Sequence, residues 1–225
     1  MATIADNLQG VKARIARAAQ AAGRDPAAVT LLAVSKTHAV ARVEEAKAAG
    51  QRVFGENYVQ EALAKMDSLP GLEWHLIGPL QSNKAKLAAE RFDWVQTLDR
   101  VKIANRLSEH RPVHLPALNV LIQVNVSGEA SKSGVGVEEV TRLAEAVAAL
   151  PRLRLRGLMA IPALKDASGF TTMKKLYEAL QGKFGFDTLS MGMSDDMEAA
   201  IAQGSTMVRI GTAIFGKRRT EQAAA

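Results

Sequence analysis

The chain has no cysteine, which removes disulfides, thiolate metal sites, iron–sulfur ligation and thiol nucleophiles together. Its chemistry must come from lysine, histidine, carboxylates, hydroxyls or a cofactor. Aromatic residues are scarce, at 4% of 225 residues, so rings for stacking on nucleic-acid bases are few. Long apolar runs are missing as well: Leu118 to Val124 is far too short and interrupted to cross a bilayer. The start, Met1-Ala2-Thr3-Ile4-Ala5-Asp6, lacks the basic and apolar regions of a secretory signal, so a cytoplasmic protein without membrane contact is expected. Four histidines, His38, His75, His110 and His114, show no metal-ligand spacing.

The charge is 29 basic against 23 acidic residues, a net +6 that favours anionic ligands weakly. It does not make a nucleic-acid surface, because the charges are scattered. The one compact cluster, Lys217-Arg218-Arg219, falls at the start of a tail, residues 218–225, expected to fray. Nearly half of the residues are apolar, enough for a full core, and no linker divides the chain. One domain over residues 1–217 is expected.

Ile4, Leu8, Val11 and Ile15 recur at helical spacing, predicting an N-terminal helix from about residue 4 to 21 that stops before Gly23. From there short β-like runs alternate with helical segments. The runs are Thr30–Ser35, Arg52–Gly55, Glu73–Ile77, Trp94–Gln96, Asn119–Asn125, Arg154–Met159, Thr188–Met191 and Met207–Ile210. Helical patterns follow each, among them Tyr58–Met66, Val137–Ala149, Thr171–Lys183 and Asp196–Gln203, with a final short one after Thr212. Eight such pairs predict an α/β fold, a single (β/α)8 TIM barrel with an extra N-terminal helix, and an open doubly wound sheet is the alternative. Gly134-Val135-Gly136 is no dinucleotide fingerprint, since no strand precedes it and the third glycine is missing.

Barrel ligands sit where strands end. Lys36 follows Leu31-Leu32-Ala33-Val34-Ser35 and shares a face with Leu32 and Val34, so its amine is expected in the barrel mouth. Desolvation there would lower its pKa and free an amine able to attack a carbonyl; the alternative is a head that snorkels into water. Glu56-Asn57 follows the second run, and Gly78-Pro79-Leu80-Gln81-Ser82-Asn83 the third. Ser194-Asp195-Asp196-Met197-Glu198 and Gly211-Thr212 follow the last two, where barrel phosphate sites are commonly built. Plain helix capping is the competing reading of Ser194, and two aspartates beside an anion must turn away from it.

Arg209, inside the last run, needs a partner, either a carboxylate or a ligand. Donated to a pyridine nitrogen, it would keep the ring unprotonated and a modest electron sink. His75, between Trp74 and Leu76, reads as a satisfied structural histidine. Met159, Met191 and Met193 read as core or pocket lining, and Lys132 as a solvated loop lysine able to meet an anion at the mouth.

These blocks resemble one family, the pyridoxal-phosphate homeostasis proteins, related in fold to the barrel domain of alanine racemase. The resemblance runs through Leu32-Ala33-Val34-Ser35-Lys36, Phe54-Gly55-Glu56-Asn57-Tyr58, His75-Leu76-Ile77-Gly78-Pro79-Leu80-Gln81-Ser82-Asn83-Lys84, Gly192-Met193-Ser194-Asp195-Asp196 and Val208-Arg209-Ile210-Gly211-Thr212. It implies pyridoxal 5′-phosphate carried as a Schiff base on Lys36, with Ser194, Gly211 and Thr212 at the phosphate, Arg209 at the pyridine nitrogen and Asn57 near the ring. It implies a monomer that buffers the cofactor, influences amino-acid and keto-acid balance and has PLP-dependent apo-enzymes as recipients. The competing class is a small racemase or decarboxylase on the same fold. Racemisation needs a second base, which related two-domain racemases take from another domain; the chain ends soon after the last strand–helix pair, and no tyrosine or histidine stands out as a substitute. The stretch from Ile161-Pro162-Ala163 to Asp187-Thr188 is shorter than the family pattern.

Overall fold

Neighbouring parallel strands need a crossover between them, and a helix supplies it at every step of this chain. The computed structural model describes residues 2–129, 133–163 and 167–216. Helix α1 (Ile4–Ala21) precedes β1 (Thr30–Val34), α2 (Val40–Ala48), β2 (Val53–Glu56), α3 (Val59–Ser68) and β3 (Glu73–Leu76). Then come α4 (Ala85–Arg91), β4 (Trp94–Leu98), α5 (Val101–His110), β5 (Leu118–Val124), α6 (Val140–Ala148) and β6 (Leu153–Ala160). The chain continues through α7 (Ala167–Phe184), β7 (Thr188–Ser190), α8 (Met197–Ala202), β8 (Met207–Ile210) and α9 (Thr212–Phe215).

All eight strands are parallel, and β8 returns to β1 in the register Thr30↔Met207 to Ala33↔Ile210, closing the barrel. The open-sheet alternative is thereby excluded. Alternation along β1 sorts its residues as the sequence implies: Leu31 and Ala33 join the core under the helices, while Leu32 and Val34 pack with Met207 inside the barrel. Trp94, Leu121 and Met159 form a second interior cluster. Full burial of each such side chain contributes about 1.5–3 kcal/mol, so the interior is a packed plug and cavities are left to its two ends.

Two boundaries differ from the sequence reading by more than two residues. The helix predicted from Thr171 begins at Ala167, because buried Phe170 gives the first turn something to pack on and outweighs the weak helix former Gly169. The helix predicted from Val137 begins with a 3-10 turn, Val137–Glu139, before α6.

Helix α1 starts on a capping box between Thr3 and Asp6 and buries Ile4, Leu8, Val11, Ile15 and Ala19. It packs on α2, α8 and α9, and Asn7 Nδ2 donates to the Ile214 carbonyl at 2.9 Å. The extra helix therefore braces the last two strand–helix junctions. Lys132, residues 164–166 and the expected tail boundary at 217–218 lie outside the described residues. Among the described residues no helix is long and apolar enough to cross a membrane.

Candidate functional site

Lys36 is held from both sides. Its predecessor Ser35 donates through Oγ to Glu56 Oε1 at 2.5 Å, and its successor Thr37 donates its N–H to Glu61 Oε1 at 2.5 Å. Lys65 of α3 ties these together, donating to the Ser35 carbonyl, Glu56 Oε1 and Glu61 Oε1, each at 2.7 Å. All three ammonium protons are thus used. Thr37 sits at φ 64°, a left-handed conformation that costs a β-branched residue about 1–3 kcal/mol, and the Glu61 contact holds it there.

Glu56 corrects the sequence reading. As the last residue of β2 it turns out towards α3, away from the mouth, and only Asn57 next to it lines the cavity. Burial pushes the Glu56 carboxyl upward against the pull of Lys65. Its Oε2 has no hydrogen-bond partner. Asn57 is placed by a close approach: a Cβ on Gly78 would lie 2.1 Å from the Asn57 carbonyl oxygen, so only glycine fits after β3.

The loop after β7 turns at Gly192, φ 95°, whose carbonyl accepts the Arg209 N–H at 3.0 Å. Capping does not explain Ser194. Helix α8 begins only at Met197, and its N-cap Asp196 makes no side-chain cap bond. Instead Asp196 folds back to accept the Met193 N–H at 2.6 Å, the turning away that an anion site requires of it. From α1, Arg14 donates to the Ser194 carbonyl at 3.1 Å while pairing with Glu198 at 2.8 Å. Gly211 is the N-cap of α9, whose first N–H groups have no intrahelical acceptor.

Arg209, 4% exposed, donates through Nη1 to Ser190 Oγ at 2.8 Å and through Nη2 to the Ala160 carbonyl at 2.9 Å. The carboxylate partner considered from sequence is not made among the described residues, although the charge of Asp196 is felt. Burial lowers its pKa to about 10, so the guanidinium is still charged at neutral pH. His75 is satisfied as expected, between Glu73 Oε1 at 2.7 Å and Gln96 Nε2 at 2.8 Å, and burial holds it neutral.

Lys36, Asn57, Ser194, Arg209, Gly211 and Thr212 all line one cavity of about 240 Å³ at the C-terminal mouth. Met193, Asp195 and His38 line it too; His38 stacks on Phe215 at 5.0 Å. A second chamber of about 360 Å³ adjoins it at Asn57, Ile77 and Ile161 and is edged by Thr97, Gln123 and Asn125. An amine on a clamped loop, a buried guanidinium with no carboxylate partner among the described residues, and hydroxyls beside helix-start N–H groups suit a small ring that carries an anion and an electrophilic carbonyl. Among the described residues no group of three histidines or carboxylates could hold a metal ion.

Sequence reasoning missed the groups behind the wall, namely Lys65, Glu61, Arg14, Ser190 and Gln96. Only Glu61 and Lys65 carried a signal, as an i,i+4 pair on a predicted helix.

The chain matches the alanine racemase N-terminal domain family over residues 7–219. It is 61% identical, over 97% of either chain, to the pyridoxal phosphate homeostasis protein of Pseudomonas aeruginosa. Among solved structures it is similar to PipY of Synechococcus elongatus with PLP bound, at 36% identity and a TM-score of 0.81, covering 95% of this chain and 100% of that one. An alanine racemase from Clostridium difficile superposes with a TM-score of 0.72 over 96% of this chain and 58% of its own; at 14% identity it shows the shared fold alone.

Proposed function

The chain belongs to the alanine racemase N-terminal-domain family and, within it, to the pyridoxal phosphate homeostasis proteins, and on that premise we propose that its cavity holds pyridoxal 5′-phosphate as a Schiff base on Lys36. One observation carries the reading: Lys36 and a charged Arg209, which bonds to no carboxylate among the described residues, line the same small cavity as the Ser194 and Gly211-Thr212 loops. When bound, the cofactor supplies an aldehyde and an electron-poor ring. The residues do the rest. Lys36 is presented by its clamped loop, Ser194 and Thr212 offer hydroxyls and the start of α9 offers N–H groups to the phosphate, and Asn57 lies at the ring edge.

Arg209 faces the ring nitrogen in this reading. A guanidinium has donors and no acceptor, so it leaves that nitrogen unprotonated and the ring a weak electron sink. This suits a protein that stores and hands on the cofactor in the cytoplasm, as a monomer, to apo-enzymes that bind it more tightly. A reversible covalent bond on a preset lysine retains the aldehyde and still releases it by hydrolysis. His38 supports the second reading, a small racemase or decarboxylase, because it puts a titratable ring in the cavity.

Purified protein incubated with pyridoxal 5′-phosphate should develop a visible absorption band that borohydride fixes on Lys36, located by peptide mapping. Lys36→Ala should abolish the band; an unchanged band in that variant refutes the linkage. Loaded protein should leave a panel of amino acids unchanged. Turnover of any of them that disappears in both Lys36→Ala and His38→Gln would establish the enzyme instead.

A further inference from the structure

Arg209 is the first member of a chain of buried hydrogen bonds that runs down through the barrel. Its Nη1 donates to Ser190 Oγ at 2.8 Å, and Ser190 Oγ donates to Gln96 Oε1 at 2.7 Å. Gln96 Nε2 lies 2.8 Å from His75 Nδ1, and His75 Nε2 lies 2.7 Å from Glu73 Oε1. Ser190, Gln96 and His75 are buried, whereas the Glu73 side chain is 45% exposed. The five residues come from β8, β7, β4 and β3. Glu73 opens β3, so the chain ends at the N-terminal mouth, where Glu73, Trp94, Arg156 and Asp187 edge a separate cavity of about 240 Å³.

The direction of every bond follows from one end. A guanidinium only donates, so Ser190 must accept with its oxygen and turn its single proton to Gln96. That fixes the carboxamide with its oxygen towards Ser190 and its NH2 towards His75, whose Nδ1 is then bare. The ring proton sits on Nε2 and points at the Glu73 carboxylate. Charge surrounds this lower end on several sides: Arg156 lies 4.6 Å over the Trp94 ring on which His75 stacks, and Asp93, held by the Trp74 N–H, also acts on the imidazole.

We propose that Ser190, Gln96, His75 and Glu73 are positioning residues for Arg209, a relay that fixes the guanidinium in the cofactor pocket and couples its donor strength to a carboxylate at the opposite mouth of the barrel. This rests on the cofactor reading above. A carboxylate placed directly on Arg209 would compete with the ligand for its N–H groups. The relay balances the guanidinium through neutral groups and leaves the remainder of its fork without a protein acceptor among the described residues. Successive bonds aligned in one direction polarise one another, so the last acceptor is felt at the first donor.

The test titrates pyridoxal 5′-phosphate into wild-type and variant protein, reading affinity and the pH midpoint of the absorption band. Gln96→Leu should weaken binding about tenfold, because it leaves the buried Ser190 hydroxyl without its acceptor. Ser190→Ala should do likewise and Ser190→Thr, which keeps the hydroxyl, should restore it. Glu73→Gln, at a half-exposed position on the far mouth, should fold normally and still weaken binding about twofold with a moved midpoint. In an Arg209→Gln background it should add nothing. Unchanged affinity and midpoint in both Glu73→Gln and Gln96→Leu would overturn the relay. A second readout needs no cofactor: side-chain ¹⁵N spectra of cofactor-free protein should show His75 protonated on Nε2 alone, and an Nδ1–H form would refute the chain of donors. A failure of the cofactor reading would appear in the wild-type titration, and a failure of the relay only in the variants or the His75 spectrum.

Discussion

Two cations are buried around this pocket, and they are held in opposite ways. Lys65, 3% exposed, meets two carboxylates and a carbonyl, which use all its donors. Arg209, 4% exposed, meets a hydroxyl and a carbonyl and no carboxylate among the described residues. A buried charge that is paired and saturated serves the fold; one left unneutralised, with donors to spare, suits a ligand. The same contrast separates the two walls of the cavity. Beneath Lys36 lies an ionic clamp, while Arg209 on the β7–β8 side leans on a backbone carbonyl and the uncharged side chains Ser190 and Gln96.

The comparison breaks first if the two cations cost the same to remove. Lys65→Met leaves Glu56 and Glu61 facing each other with Glu56 wholly buried, so it should destabilise the cofactor-free protein by about 3–5 kcal/mol. Arg209→Met strands one carbonyl and relieves a desolvated charge, and should cost only about 0–1 kcal/mol while cofactor binding collapses. Urea unfolding of both variants decides it; equal losses would mean that Arg209 is structural.

A smaller effect is expected where clamp and cofactor meet. Glu61→Gln should cost about 1–2 kcal/mol, because the Lys65 and Thr37 bonds to Oε1 become neutral-acceptor bonds. Loosening Thr37 should also slow formation of the borohydride-trappable band, whereas a stability loss with an unchanged rate would separate the clamp from Lys36.

The barrel was legible because strand runs and helical periods alternate throughout, and the residues that line the mouth cavity were legible because they lie at or just after strand ends. The supports were not. Lys65 on an amphipathic helix reads as a solvent-facing partner of Glu61, and its burial depends on how α3 is rotated against β2. Gln96 and Ser190 are ordinary strand residues until closure brings β4 and β7 across the interior from each other. The start of α7 was misplaced for a related reason, since a local propensity cannot see the packing that Phe170 finds.

Acid should probe the relay's lower end. Burial keeps the His75 pKa below 6.5, so as pH falls through that value the unfolded chain takes up a proton that the native state refuses. Its contribution is complete above about pH 6.5 and declines below it by at most about 1.4 kcal/mol per pH unit. Glu73, lowered by its bond to His75, adds loss in the same direction further down, from 4.5. Glu56, raised by burial, acts oppositely, its contribution falling as pH rises above 4.5. Subtracting the pH dependence of His75→Gln from that of the wild type therefore isolates the imidazole; a flat difference between pH 5 and 7 would mean that His75 protonates freely.

The smallest effect belongs to Arg14, which joins the N-terminal helix to the Ser194 loop. Its ion pair with Glu198 is half exposed and worth about 0–1 kcal/mol after solvent screening, so Arg14→Ala should barely move the unfolding midpoint. The bond to the Ser194 carbonyl is a different matter, because it fixes the loop that offers the hydroxyl. Binding of pyridoxal 5′-phosphate should weaken about threefold while pyridoxal, lacking the phosphate, binds as before, the loss being that of one loop-ordering hydrogen bond. Equal weakening of both compounds would move Arg14 out of the phosphate wall and leave the ionic clamp under Lys36 as the braced side of the pocket.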